Sequence, residues 1–256
     1  ILKMKEFITN NKVKLRPHAK MHKSIDVANF QTNNGAAHGI CCQKVSEAEV
    51  FFRHGIKDIL ITNQVTDLLK IDRLTKIDTK NCNISCCVDN EENIINIQNS
   101  AFENNSIINV YIEYDCGANR CGLESFKEIQ SLIDLINTMS NIKFEGFQAY
   151  NGSIQHIEDF AQRKINVQET CNKIRSLKTR FKDYSPIITG VGTGCFDLEV
   201  KENVYDEIQV GSYAFMDAHY SSLKKDNKLN NTIDFENALF VLSNVMSTAV
   251  KKQAVV

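Results

Sequence analysis

Short apolar, β-branched runs recur along the chain, and the segments between them carry helical spacing. There are eight: Leu15–Lys20, Gly39–Lys44, Asp58–Asn63, Ile84–Asp89, Asn109–Asp115, Phe144–Tyr150, Ile187–Gly192 and Glu207–Ser212. Most are continuous rather than alternating, as strands buried on both faces require. Ser46-Glu47-Ala48-Glu49 ahead of Val50-Phe51-Phe52 predicts a helix with the serine as N-cap and acids in its first turn. Ser125–Met139 reads the same way, with Phe126, Ile129, Leu132, Ile133 and Ile136 on its apolar face, and His156–Leu177 is predicted as a further helix. Strand and helix alternating until eight strands are reached predict an α/β protein, a closed (β/α)8 TIM-type barrel. A doubly wound open sheet is the alternative, but it usually stops at fewer strands. Neither G-x-G-x-x-G after the first strand nor G-x-x-x-x-G-K-[ST] occurs.

The pattern changes after the eighth run. Ser221–Asn231 is polar and reads as a linker, and Thr232–Val250 is strongly apolar with no period that decides between helix and strand. The expected division is a barrel over residues 1–220 and a linker with the opening of another domain over 221–256.

Composition narrows the function. A net charge of −1 and the lack of any run of 18 apolar residues argue against nucleic-acid binding and a membrane span. Ile1-Leu2-Lys3-Met4-Lys5 is not a signal peptide, and it lacks an initiator methionine, so the true N-terminus is expected to be missing. The nine cysteines include no matched C-x-x-C pairs. They read as reduced, mostly buried thiols of a cytoplasmic protein.

In such barrels the chemistry gathers where strands meet the following loops. The first run ends in Leu15-Arg16-Pro17-His18-Ala19-Lys20-Met21-His22-Lys23, where a lysine has two histidines and other cations close by. Neighbouring cations lower an amine's pKa and leave more of it free to attack a carbonyl. A solvated basic turn is the plainer alternative. Loops after strands seven and eight are the usual phosphate site of this architecture. Here they are Thr189-Gly190-Val191-Gly192-Thr193-Gly194 and Gln209-Val210-Gly211-Ser212. Glycines let backbone N–H groups approach an anion and the hydroxyls add donors. A tight turn without a ligand is the alternative for the first loop alone.

A lysine opposite a phosphate cradle points to pyridoxal 5'-phosphate. Lys20 would hold its aldehyde as an imine, and Gly192, Thr193, Gly194, Gly211 and Ser212 its phosphate. Arg120, Tyr150 and Gln209 stand at suitable strand ends for the ring. Singly, each also reads as something plainer: a surface ion pair, a phenol at the core edge, a hydrogen bond at the barrel mouth. His156, just beyond the sixth run, could take a proton from a substrate hydroxyl or simply begin a helix.

These residues resemble those of a known family. The motif Leu15–Ser24 is similar to the lysine motif of D-threonine aldolases and the related eukaryotic-type D-serine dehydratases, fold-type III pyridoxal phosphate enzymes with an alanine-racemase-like barrel. The segments Cys41–Glu49, Asp115–Gly122, Gln148–His156, Thr189–Phe196 and Gly211–Asp217 extend the resemblance over essentially the whole chain. It implies that Lys20 forms the imine, that Arg120 and Tyr150 contact the cofactor, and that His156 is the base for the β-hydroxyl. The implied reaction is retro-aldol cleavage of a D-3-hydroxy amino acid to glycine and an aldehyde. The dehydratase, a non-catalytic pyridoxal phosphate barrel and a racemase are alternatives, though no second acid/base for a racemase is identified. The family also implies a short N-terminal strand and, after the barrel, a β-domain that supplies a histidine and an acid or cysteine to a divalent metal. The chain stops at Val256, where that domain begins, so a partial sequence lacking the metal ligands is expected. The partner implied is a small-molecule D-amino acid; a homodimer stays open.

Overall fold

The computed structural model describes residues 1–223 and 235–256. Eight strands form one sheet: β1 (Lys14–Leu15), β2 (Ile40–Cys42), β3 (Asp58–Gln64), β4 (Asn83–Val88), β5 (Ile108–Glu113), β6 (Ile142–Ala149), β7 (Ile187–Gly190) and β8 (Glu207–Ile208). From β2 to β8 each strand pairs in parallel with the next in sequence, and β1 pairs in parallel with β8. The ring is completed just past β1. There Cys41 N–H donates to the Pro17 carbonyl at 2.9 Å, and His18 forms a parallel bridge with Cys41. Strand neighbours thus follow chain order, which a doubly wound sheet with its reversal of strand order does not do.

The continuous apolar runs have the two-sided burial they require. Cys41, Leu60, Cys87 and Tyr111, one from each of β2 to β5, form a cluster of their own. Their sequence neighbours Ile40, Ile59, Ile61, Cys86, Val110 and Ile112 belong to the larger core with the helices. Helix α6 (Phe126–Asn137) forms as the sequence predicts: Ser125 Oγ accepts from Glu128 N–H at 3.4 Å, and Ile129, Leu132, Ile133 and Ile136 are buried. Each such side chain contributes on the order of 1.5–3 kcal/mol.

Two helices start elsewhere than predicted. Helix α3 (Val45–Arg53) begins before Ser46, which lies in its first turn, and Lys44 is its N-cap without a side-chain bond. Glu47 reaches back to accept from Gln43 N–H at 2.9 Å, one residue ahead of that N-cap. Helix α7 (Phe160–Arg180) begins at its cap Asp159, which accepts from Gln162 N–H at 2.7 Å. Arg163 donates to the Ile157 and Glu158 carbonyls and holds the preceding turn off the helix. His156 therefore stands on a loop. The remaining helices are α1 (Leu2–Asn11), α2 (Ile25–Asn33), α4 (Leu68–Thr75), α5 (Glu91–Glu103), α8 (Phe196–Lys201) and α9 (Ala218–Ser221).

Most of the predicted linker Ser221–Asn231 lies outside the described residues. Among those that are described, the apolar segment is neither helix nor strand; Ser247 and Val255 form a single antiparallel bridge. Phe235 rests on Phe196 and Tyr213, ring centroids 5.5 and 5.6 Å away, and Leu239 to Leu242 are exposed.

Candidate active site

A cavity of about 300 Å³ opens at the ends of the strands where the loops begin. Lys20, Arg120, Tyr150, Gln209, Gly192, Thr193, Gly211 and Ser212 all line it. Residues from the first, fifth, sixth, seventh and eighth strand ends thus share one space.

Lys20 sits beyond the first strand on a 3₁₀ turn, Ala19–Met21, rather than in the strand itself. Pro17 supplies no N–H to a ladder, and the His18 ring takes over the chain direction. Its Nδ1 accepts from Lys20 N–H at 3.3 Å and its Nε2 meets Thr62 Oγ1 at 2.9 Å. A ring buried this way and placed beside Lys20 is held neutral, its pKa pushed down to about 3 by burial first and then by the Lys20 and His22 cations. An accepting Nδ1 leaves the proton on Nε2. His18 thus fixes the turn that presents the amine. Lys20 itself has its pKa lowered by the surrounding protein and then by the Arg120 cation.

Arg120 follows β5. Its Nη2 lies 3.3 Å from Glu113 Oε1, and its guanidinium sits 5.9 Å from the Tyr150 ring centroid. Glu113 is buried, which raises its pKa; Gln64 Nε2, 2.6 Å from Oε2, and Arg120 oppose that rise. Gln209 forms a reciprocal amide pair with Gln148, at 2.6 and 3.2 Å, and donates to Thr189 Oγ1 at 2.8 Å. Its amide hydrogens are therefore engaged within the protein.

The two glycine-rich loops differ in detail. Thr193 Oγ1 is buried without a hydrogen-bond partner, although Thr193 lines the cavity. An orphaned hydroxyl in a cavity wall is what an anion cradle leaves for its ligand. Val191 has φ 73°, a left-handed conformation that costs a β-branched residue on the order of 1–3 kcal/mol. Such strain gathers at functional turns. Gly194 does not line the cavity. A Cβ there would meet the Gln155 carbonyl oxygen at 1.9 Å, so chain packing, rather than a ligand, requires this glycine. Gly194→Ala is expected to destabilise the protein by about 1–3 kcal/mol through overpacking, read as a lower urea midpoint.

His156 also lies outside the cavity wall. Its ring stacks on His219 and Tyr220, with centroids 4.2 and 4.7 Å away, and Tyr220 does line the cavity. Burial and then His219 lower its pKa, which favours the neutral imidazole a base requires. The sequence reading did not single out Thr62, Asn63, Gln148 or Tyr220 as site residues. Thr62 and Asn63 end the third run and could have been found by the strand-end rule applied to the fifth and sixth.

Residues 1–219 match the model of the alanine racemase N-terminal domain. The chain belongs to the alanine racemase N-terminal domain family. Within this family it is 37% identical, over an alignment of 260 residues, to a 3-hydroxy-D-aspartate aldolase of Paracoccus denitrificans strain Pd 1222; the match covers 100% of this chain and 67% of that protein. A D-threonine aldolase of an Arthrobacter species is 36% identical over 247 residues, covering 95% of this chain and 64% of the relative. The crystal structure of a D-threonine aldolase from Filomicrobium marinum superposes with a TM-score of 0.89 at 34% identity, over 99% of this chain and 67% of that one. The chain thus spans about two thirds of the length of these relatives. The alanine-racemase-like barrel expected from the sequence is the fold observed.

No described helix is long and apolar enough to cross a membrane. All nine cysteines are free thiols; eight are buried and Cys121 is half-buried.

Proposed function

We infer that this chain is the cofactor-binding barrel of an enzyme that uses pyridoxal 5'-phosphate to cleave D-3-hydroxy amino acids of the D-threonine type to glycine and an aldehyde. The observation that carries this reading is the shared cavity: Lys20 with its lowered pKa, Arg120 and Thr193, whose buried hydroxyl has no partner, line one space. The residues fit the cofactor. Lys20 Nζ would bond to its aldehyde, Arg120, Tyr150 and Gln209 would meet its ring, and Gly192, Thr193, Gly211 and Ser212 would hold its phosphate. Bound there, pyridoxal phosphate supplies an electron sink for the pair released when Cα–Cβ breaks.

The chain's own groups then have definite tasks. Lys20, its pKa lowered by burial and then by Arg120, would provide the nucleophile. Arg120, oriented by Glu113 and flanked by Tyr150, brings positive charge to the ring. His156, neutral and stacked behind Tyr220, would take the proton of the substrate β-hydroxyl. Among the described residues no three His, Cys, Asp or Glu side chains gather as a metal site.

Supplying D-threonine and D-3-hydroxyaspartate and assaying for glycine and aldehyde tests the reading; ammonia with a 2-oxo acid would assign the dehydratase instead. His156→Gln is expected to lower glycine formation by about 10²–10⁴-fold while leaving bound cofactor unchanged. Equal loss of both would remove His156 from the proton transfer.

A further inference from the structure

Beneath the Gly190–Gly194 turn lies a carboxyl group that the steps above do not use. Glu199, on α8, is fully buried. Gln155 Nε2 donates to its Oε2 at 3.2 Å and Tyr205 Oη lies 3.2 Å from its Oε1. Gln155 is wedged under the same turn: a Cβ at Gly192 would meet its Oε1 at 2.4 Å. The carboxyl is therefore joined through Gln155 to the turn proposed to hold the phosphate.

The hydrogen count around Tyr205 bears on the protonation state of Glu199. The Tyr205 hydroxyl has one proton and two acceptors within reach, the Ala149 carbonyl at 3.1 Å and Glu199 Oε1 at 3.2 Å. With Glu199 ionised, both acceptors compete for that proton. With Glu199 protonated, its own O–H donates to Tyr205 Oη, and Tyr205 donates to Ala149. Both contacts are then made.

The charged group acting most on Glu199 is Asp197 of its own helix. The other titratable groups that feel it are Cys116 after β5, Tyr150 after β6, Cys171 on α7, Cys195, Tyr205 before β8 and Tyr220 on α9. Of the α7 cations, Arg163 acts on Cys195 and Lys173 on Cys116. Burial raises the Glu199 pKa to about 7, against the pull of the hydrogen bonds to it.

We propose that Glu199 is a positioning residue, held as a neutral carboxylic acid beneath the anion turn, and that its ionisation places a negative charge there which weakens the turn's hold on a phosphate. This rests on the reading of the turn as a phosphate cradle. By linkage, a phosphate that resists this ionisation must bind less well once it has occurred.

The test is binding of pyridoxal phosphate to the chain, followed by absorbance at about pH 6 and about pH 8.5, either side of ~7. Pyridoxal, which lacks the phosphate, is titrated in parallel. The ratio of the two affinities cancels the effect of Lys20. The phosphate's own second ionisation, near ~6, strengthens anion binding as pH rises, the opposite sign to the effect proposed. The wild-type ratio is expected to fall by about tenfold, the equivalent of one pKa unit of coupling. In Glu199→Gln, a neutral amide of the same shape, it should not fall. A wild-type ratio that stays flat or rises overturns the proposal, and so does a fall of equal size in Glu199→Gln. Should that variant not fold, the wild-type ratio alone decides. Failure to bind pyridoxal phosphate at either pH would instead strike down the cofactor reading itself, and the proposal with it.

Discussion

Lys20→Ala is expected to abolish the covalent adduct that borohydride traps between protein and pyridoxal phosphate, and to lower glycine formation by about 10³-fold or more. Lys23→Ala should leave both intact. Lys23 is only three positions away, but its Nζ pairs with Glu47 at 3.2 Å, whereas Lys20 lines the cavity. The pH dependence of attachment carries the same expectation. The Lys20 pKa is depressed by the surrounding protein and then by Arg120, so the rate of attachment should level off below the ~10.4 of an ordinary lysine. Removing a neighbouring cation raises an amine's pKa, so Arg120→Leu should move the plateau to higher pH. Stopped-flow absorbance reads both. An adduct that survives in Lys20→Ala and disappears in Lys23→Ala would show that the wrong amine had been chosen.

The barrel was legible because a parallel strand buried on both faces must be a continuous apolar run, and each of the eight runs overlaps one of the eight strands. Helix starts were less legible because several groups compete to cap one end. At α3 Glu47 takes the Gln43 N–H and no side chain caps the helix, and Asp159 with Arg163 holds His156 off α7. Pattern alone does not show which polar side chain reaches which N–H. The shared cavity followed from the strand-end rule, since that rule depends on topology rather than on side-chain conformation. Gly194 could not be separated from Gly192 in this way: a glycine that lines a cavity and one that does not look the same in sequence. Glu199 was hidden for a similar reason. It lies in a short helix beside Asp197 and Lys201, where a carboxylate reads as solvated, and only the packing of Gln155 and Tyr205 against it reveals its burial.

Arg16→Met is expected to cost about 3–5 kcal/mol of stability, because it leaves a buried carboxylate without its main partner. Arg16 Nε meets both oxygens of Glu207, at 3.0 and 3.1 Å, and Nη1 reaches Asp58 on β3. Glu207 also accepts from Thr189 of β7 at 2.6 Å and lies 2.8 Å from His38. The cluster sits on the seam where β1 and β8, each two residues long, complete the ring. So few ladder bonds hold that seam that the charged cluster has a large share in keeping the Lys20 turn and the Gly211-Ser212 loop facing one cavity. The sign of its pH dependence follows. Burial alone would raise the Glu207 pKa, but Arg16 and then His38 override it and bring it down to about 2, below the ~4.3 of an unfolded glutamate. A depressed carboxylate gives its full stabilisation above the unfolded value and loses it as pH falls towards the folded one. Urea midpoints should therefore differ most between wild type and Arg16→Met above about pH 5, and converge as pH drops towards about 2. Equal midpoints at neutral pH would mean that desolvation cancels the pairing and that the seam is held by its backbone alone.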